Sequence, residues 1–229
     1  MRHPRINKYS YLYHVKHLIL LLFLLAICAC SPVYDAQSSI KPIRNVDKLQ
    51  DLVDNINTPF VYYPSPNHYS VCHGHTCNKF AFISLSAQQW QSVTHLFSPV
   101  AKNAQQERQQ IQLAIALLET LTGEQSNTNR DRAENYVSEG LDGQLDCIDE
   151  ATNSTVYLRI LYDAGLLNFH QQASRTSRGG LLSPHNTATI IDKDSGHRYA
   201  VDSWFGDNGE PPAIVPLPQW KKGWKPKRQ

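Results

Sequence analysis

Cys147 stands where a long apolar-periodic segment begins, and the two segments after it read as a β-hairpin. This arrangement limits the fold more than any other feature of the chain. Asp146-Cys147-Ile148-Asp149-Glu150-Ala151 opens a helix predicted over 147–164, with Asp146 placed to cap its first turn and Gly165 to end it. Ile148, Ala151, Thr155, Leu158 and Tyr162 recur at spacings of three and four, with Leu161 beside them, so one face of the helix is expected to be buried. His185 comes 38 residues after Cys147 and opens a strand over 185–192. Lys193-Asp194-Ser195-Gly196 supplies the turn, and a second strand over 197–202 ends in Asp202. The expected class is α+β, a Cys-bearing helix packed on a small antiparallel sheet.

A thiol at a helix start, followed by an imidazole and a carboxylate on paired strands, has the order of a cysteine nucleophile, its base and the group that orients the base. Free N–H groups and the helix dipole favour negative charge at that end, which suits a thiolate. The same three elements, Asp146-Cys147 with its acidic followers and Ala151, His185-Asn186-Thr187-Ala188, and Ala200-Val201-Asp202-Ser203-Trp204, resemble the transglutaminase-like superfamily of papain-type cysteine enzymes. They are most similar to its bacterial transglutaminase-like cysteine proteinases. The resemblance covers about residues 140–206 and implies a papain-like fold and acyl transfer at an amide. Cys147 would attack the carbonyl, His185 would move the proton, and Asp202 would orient the imidazole. The Cys147 N–H would be one oxyanion donor and Gln144 a second. No cofactor and no metal are implied, and the partner is a peptide or other amide-bearing substrate.

Two features speak for an inactive binding or structural protein on the same fold. Asp146, Asp149 and Glu150 surround the thiol with like charge, although helical spacing brings only Glu150 near the Cys147 face. Asn186-Thr187 stands where the family usually has a large apolar or aromatic residue. His197 opens the second strand but is out of order for the base, and Ser203 lacks a Gly-x-Ser-x-Gly surround.

Residues 1–29 read as an export signal. Arg2, Arg5, Lys8 and Lys16 precede an apolar run, Leu18 to Ile27, that is shorter than the ~20 residues of a membrane-spanning helix. Ile27-Cys28-Ala29-Cys30 resembles the lipobox of bacterial lipoproteins, which implies cleavage before Cys30 and acylation of its thiol. Ser31, rather than Asp, implies the outer membrane, facing the periplasm. The alternative is an ordinary cleaved signal with a chance cysteine. Residues 30–44 are then a polar tether and 45–229 one domain.

Export gives the remaining cysteines meaning. Cys72 and Cys77 are close enough in sequence to bridge in an oxidising compartment, which leaves Cys147 as the odd thiol, reactive or simply buried. Cys72-His73-Gly74-His75-Thr76-Cys77 also admits a metal or two free thiols, but its spacing matches no common zinc pattern. Four of the 22 basic residues and none of the 20 acidic ones lie in 1–29, so the mature chain has 18 against 20, a net charge of −2. That balance argues against a nucleic-acid partner. The basic tail Lys221 to Arg228 reads as a solvated end.

Elsewhere the pattern predicts a short helix over 45–56, strands over 59–63 and 79–84, and a loop over 64–78 between them. A helix capped by Ser86 runs to Phe97, ahead of Pro99. A longer one spans 103–122, with Gly123 as its cap and a solvated Gln- and Glu-rich face. Residues 124–129 read as a polar loop, 130–144 as a loose approach to Cys147, and 171–183 as a mobile loop before His185.

Overall fold

The structure is a computed structural model, and it describes residues 60–135, 142–179 and 184–227. The signal, Cys30, the tether and the 45–56 helix lie outside the described residues. The chain is α+β. A two-stranded antiparallel hairpin, β1 (Tyr69–His73) and β2 (Lys79–Ile83), comes first, followed by helices α1 (Ala87–His95), α2 (Ala104–Ser126) and α3 (Cys147–Asp163). A four-stranded antiparallel sheet in the order β3-β4-β5-β6 follows, from β3 (His170–Arg178), β4 (His185–Asp192), β5 (Arg198–Asp202) and β6 (Ala213–Pro216). A short helix, α4 (Leu217–Lys221), closes the described part.

Helix α3 is the centre of the core. Every residue from Asp149 to Leu161 is buried, so the helix is enclosed on all sides and not on one face as its periodicity predicts. Val156, Leu158, Ile160 and Leu161 pack in one cluster with Ile111, Ile115 and Leu118 of α2, Tyr69 and Val71 of β1, and Ala188 and Ile190 of β4. Asn153 and Thr155 are tolerated there because they are hydrogen-bonded. Asn153 accepts from the Cys72 N–H at 2.8 Å and donates to the Cys72 carbonyl at 2.9 Å, and Thr155 Oγ1 donates to the Ala151 carbonyl at 2.7 Å.

Several elements differ from the sequence pattern. Phe60 to Tyr63 form no strand; the first strand is β1, inside the predicted 64–78 loop, with Tyr69 to Cys72 buried while Tyr62 and Tyr63 are exposed. Aromatic composition pointed to the wrong half of that segment, because burial and not propensity decides a strand. Helix α2 runs through Gly123 and ends at Asn127, which takes the left-handed conformation at φ 61°. Gly123 instead marks a close approach, since a Cβ there would stand 3.0 Å from the Asn129 backbone. The α2 face read as solvated carries two buried acids, Glu107 and Glu119. Residues 171–178, read as part of a loop, belong to β3, whose polar side chains hide a strand paired with β4 across a bulge between Ala173 and Thr176. The described tail residues, 221–227, are mostly exposed, as read, but just ahead of them β6 pairs with β5, and Trp220 of α4 is fully buried.

Cys72 and Cys77 form a disulfide across the β1–β2 turn. Gly74, His75, Thr76 and Cys77 all take positive φ, 80°, 65°, 53° and 56°. Only Gly does this without cost, so the turn needs external support. It receives that support from α3, because consecutive left-handed residues aim their N–H groups to one side as an anion-binding nest. The His75 and Cys77 N–H groups donate to Asp149 at 2.9 and 2.7 Å, and the Thr76 N–H donates to Asp146 at 2.9 Å. Opening the bridge in a Cys72→Ala, Cys77→Ala variant is expected to cost about 2 kcal/mol by chain entropy. Urea melts measure this, and non-reducing peptide mapping should find both residues in one cross-linked peptide. Two free thiols in native protein would contradict the assignment.

Candidate functional site

Three elements bring the sequence-predicted residues together. Asp146 caps α3 by accepting the Ile148 and Asp149 N–H groups, both at 2.9 Å, while Asp149 reaches back toward the Asp146 N–H at 3.3 Å, a capping box. The Glu150 N–H is taken by the Asp146 carbonyl. The N–H of Cys147 is the one first-turn donor for which no described residue supplies an acceptor. The half-buried Cys147 sulfur lies 3.9 Å from the Pro184 carbonyl oxygen and 3.7 Å from Asn186 Nδ2, at the opening of β4.

His185 starts β4, and Asp202 ends β5. The antiparallel register pairs Ala188 with Val201, which puts the two side chains at the same end of the sheet. His185 Nε2 and Asp202 Oδ2 are 2.7 Å apart, with His185 8% and Asp202 2% exposed. The other ring nitrogen, Nδ1, is buried and has no hydrogen-bond partner among the described residues. Burial alone would lower the proton affinity of this imidazole, but the Asp202 hydrogen bond and the neighbouring Cys147 outweigh it, and the pKa is raised. The thiol helps to raise it through its closeness to the ring, first as a hydrogen-bond partner and then by charge, although its sulfur lies outside strict hydrogen-bonding geometry with Nδ1. Around the ring stand Trp204 at 4.7 Å, Phe205 at 5.3 Å and Trp220 at 5.5 Å between centroids, an apolar surround that strengthens the charged contacts inside it.

The acids that the sequence crowds around Cys147 point elsewhere. Asp146 and Asp149 are occupied by the disulfide turn, and burial with the nearby Asp146 charge pushes Asp149 up to about 7. Glu150 is buried, 4% exposed, and lies near Glu119 and Asp131. Burial first, then the charges of Glu119 and Asp131, raises the Glu150 pKa well above the ordinary carboxyl value. Burial likewise pushes Glu119 to about 7 and Asp131 to about 6. No acid is hydrogen-bonded to the thiol among the described residues.

Gln144 lies three residues before Cys147, and its amide is tied to the preceding segment. Nε2 donates to the Arg130 carbonyl at 2.7 Å, and Oε1 accepts from Asn135 Nδ2 at 2.6 Å and from the Arg132 N–H at 3.3 Å. The neighbouring Gly143 has φ 81°, and a Cβ there would collide with the Asn127 carbonyl. The approach to Cys147 is therefore packed against the end of α2. His197 lies at the far end of the β4–β5 hairpin from Asp202, and the Ser203 hydroxyl is 3.0 Å from that of Ser154 in the interior. The described residues with metal-ligand atoms close together are Cys72, Cys77 and Asp149, and the two sulfurs are bonded to each other.

Sequence reasoning missed Trp220, which donates from Nε1 to Asp202 Oδ2 at 2.6 Å, and Phe205. The apolar Ala213-Ile214-Val215 ahead of Leu217-Pro218-Gln219-Trp220 is the signal that could have found the former. No protein-family model, curated protein or solved structure matches this chain.

Proposed function

We propose that the protein is a lipid-anchored envelope protein of papain-like, transglutaminase-like architecture, with a Cys147–His185–Asp202 site that transfers the acyl group of an amide. The observation that carries this reading is the pinned imidazole. Asp202 holds Nε2, while the buried Nδ1 is left without a partner beside a half-buried thiol at a helix start. In this reading Nδ1 takes the thiol proton as sulfur attacks the carbonyl carbon, and the oxyanion meets the open Cys147 N–H. The imidazolium then protonates the leaving amine, the C–N bond breaks, and water or a second amine releases the acyl group from the thioester. Asp202 stabilises the charged imidazole throughout. Gln144 as second donor needs its remaining amide hydrogen, since the other serves Arg130.

An activated acyl donor tests this directly. p-Nitrophenyl acetate should acetylate Cys147, and hydroxylamine should remove the adduct. Native protein with no adduct at Cys147 would leave the inactive binding or structural reading, which is favoured by the absence of a sulfur–Nδ1 hydrogen bond.

The anchor is a separate matter. No helix among the described residues is long and apolar enough to cross a membrane, and the proposed attachment is the lipid on Cys30. Expressed in a bacterium, the chain should incorporate radiolabelled palmitate and fractionate with outer membranes, and Cys30→Ala should abolish the label. An unlabelled wild type would contradict it.

A further inference from the structure

The carboxylate that faces His185 is held by a second donor from the far end of the chain. Trp220 is fully buried, and its Nε1–H donates to Asp202 Oδ2 at 2.6 Å, the same oxygen that takes His185 Nε2 at 2.7 Å. Asp202 Oδ1 is buried with no partner among the described residues, so both fixing contacts fall on one oxygen. The indole also packs on the imidazole, with ring centroids 5.5 Å apart and planes 33° from parallel.

Helix α4 has only five residues and would not hold an indole in place by itself. It is latched to β3. Arg178, the register partner of His185, donates to the Trp220 carbonyl and sets its guanidinium 4.4 Å from the indole centroid. Lys221 Nζ donates to Thr176 Oγ1 at 2.8 Å and to the Ser177 carbonyl. The pairing of β6 with β5, from Asp202↔Ala213 to Tyr199↔Pro216, brings the segment back across the sheet.

We propose that Trp220 is a positioning residue for the Cys147–His185–Asp202 site, fixing the Asp202 carboxylate so that His185 keeps its hydrogen on Nε2 and presents a bare Nδ1 to the thiol. This rests on the acyl-transfer reading. The physical reason is geometric: a carboxylate with one donor can turn about its Cβ–Cγ bond, and one pinned on Oδ2 by two donors cannot do so without losing both. A buried N–H that lost this acceptor would be left unsatisfied, so the indole and the carboxylate hold each other. The ionisable groups facing His185 are Cys147 from α3, Asp202 from β5, and Arg178 from β3, with Lys221 on α4 behind the indole.

The test is nitrogen NMR of the histidine rings at a pH above the His185 titration, on wild type and Trp220→Phe. Wild type should show His185 as the Nε2–H tautomer, and the variant a mixture of both tautomers. Iodoacetamide labelling of Cys147 should fall about 2-fold or more in the variant, because in an even mixture about half of the imidazoles carry the hydrogen on Nδ1 and cannot take the thiol proton. Should Trp220→Phe not fold, the wild-type indole N–H serves instead: its proton resonance should shift as His185 titrates. An unchanged tautomer and labelling rate in a folded variant would overturn the proposal. So would an indole resonance indifferent to the titration. A wild type that shows the tautomer and the coupled indole but an inert Cys147 would refute acyl transfer and leave the positioning role standing.

Discussion

Replacing His185 with Ala is expected to lower acyl transfer to Cys147 by ~10²–10⁴, the range lost with a general base. The geometry explains why no other group would stand in. The sulfur has a carbonyl oxygen and an Asn186 amide for neighbours, neither of which is a base, and the nearby acids are turned to other partners. Asp202→Asn should fold, because it keeps the size of a side chain that is 2% exposed, and should still lose ~10² or more. Its amide must present N–H or oxygen to two donors, His185 Nε2 and Trp220 Nε1, and it cannot stabilise an imidazolium as a carboxylate does. Acetylation rates with p-nitrophenyl acetate, beside circular dichroism of each variant, check both. Wild-type rates in either folded variant would remove that residue from the site.

Glu107→Ala is expected to be the most destabilising single change among the described residues, at about 3–5 kcal/mol, the cost of breaking a buried charged contact by removing one partner. Glu107 is 0% exposed at the first turn of α2. It accepts the N–H groups of Asn168, Phe169 and His170 at 2.6 to 3.0 Å, and it meets His170 Nδ1 at 2.9 Å. Without it, three backbone donors at the entry to β3 lose their acceptor inside the protein. Burial pushes this carboxyl up, but the His170 contact and the three N–H groups outweigh it and hold the pKa below its ordinary value. A depressed acid stabilises the fold above the unfolded value of 4.5, and that contribution is lost as pH falls through the folded value. Urea midpoints from pH 7 to pH 3 should therefore drop on the acid side in wild type and drop less in the variant. A variant with the wild-type midpoint at pH 7 would contradict this.

The helix of Cys147 and the hairpin of His185 and Asp202 were legible because local signals there agree with the fold. Asp146 caps, Gly165 and Gly196 take positive φ at 70° and 69°, and the β-branched runs are core strands. The same agreement exposed the Ser86 N-cap of α1. Sequence failed where tertiary contacts supply what composition lacks. β3 is mostly polar and half-buried, held by its ladder to β4, so no apolar alternation announces it. Glu107 and Glu119 look like any solvent-facing acids on a Gln-rich helix, and only the loops that fold over them bury them. The direction of Asp146 and Asp149 depended on the left-handed turn between Cys72 and Cys77, about 70 residues away in the chain. Trp220 escaped notice because it stands alone just ahead of the lysine-rich tail, and only the pairing of β6 with β5 brings it to Asp202.

The central claim is that Cys147 is a thiol activated by His185, and the most direct measurement is mass-spectrometric mapping of iodoacetamide labelling on native protein across pH. His185 holds its proton more strongly than a free imidazole, so a charged ring stays beside the sulfur at mildly acid pH. Cys147 is therefore predicted to label faster at pH 6 than a small free thiol under the same conditions, and His185→Ala should erase the difference. If Cys147 labels only after unfolding, or tracks the free thiol at every pH, the sulfur is an ordinary core cysteine and the site is not a nucleophile.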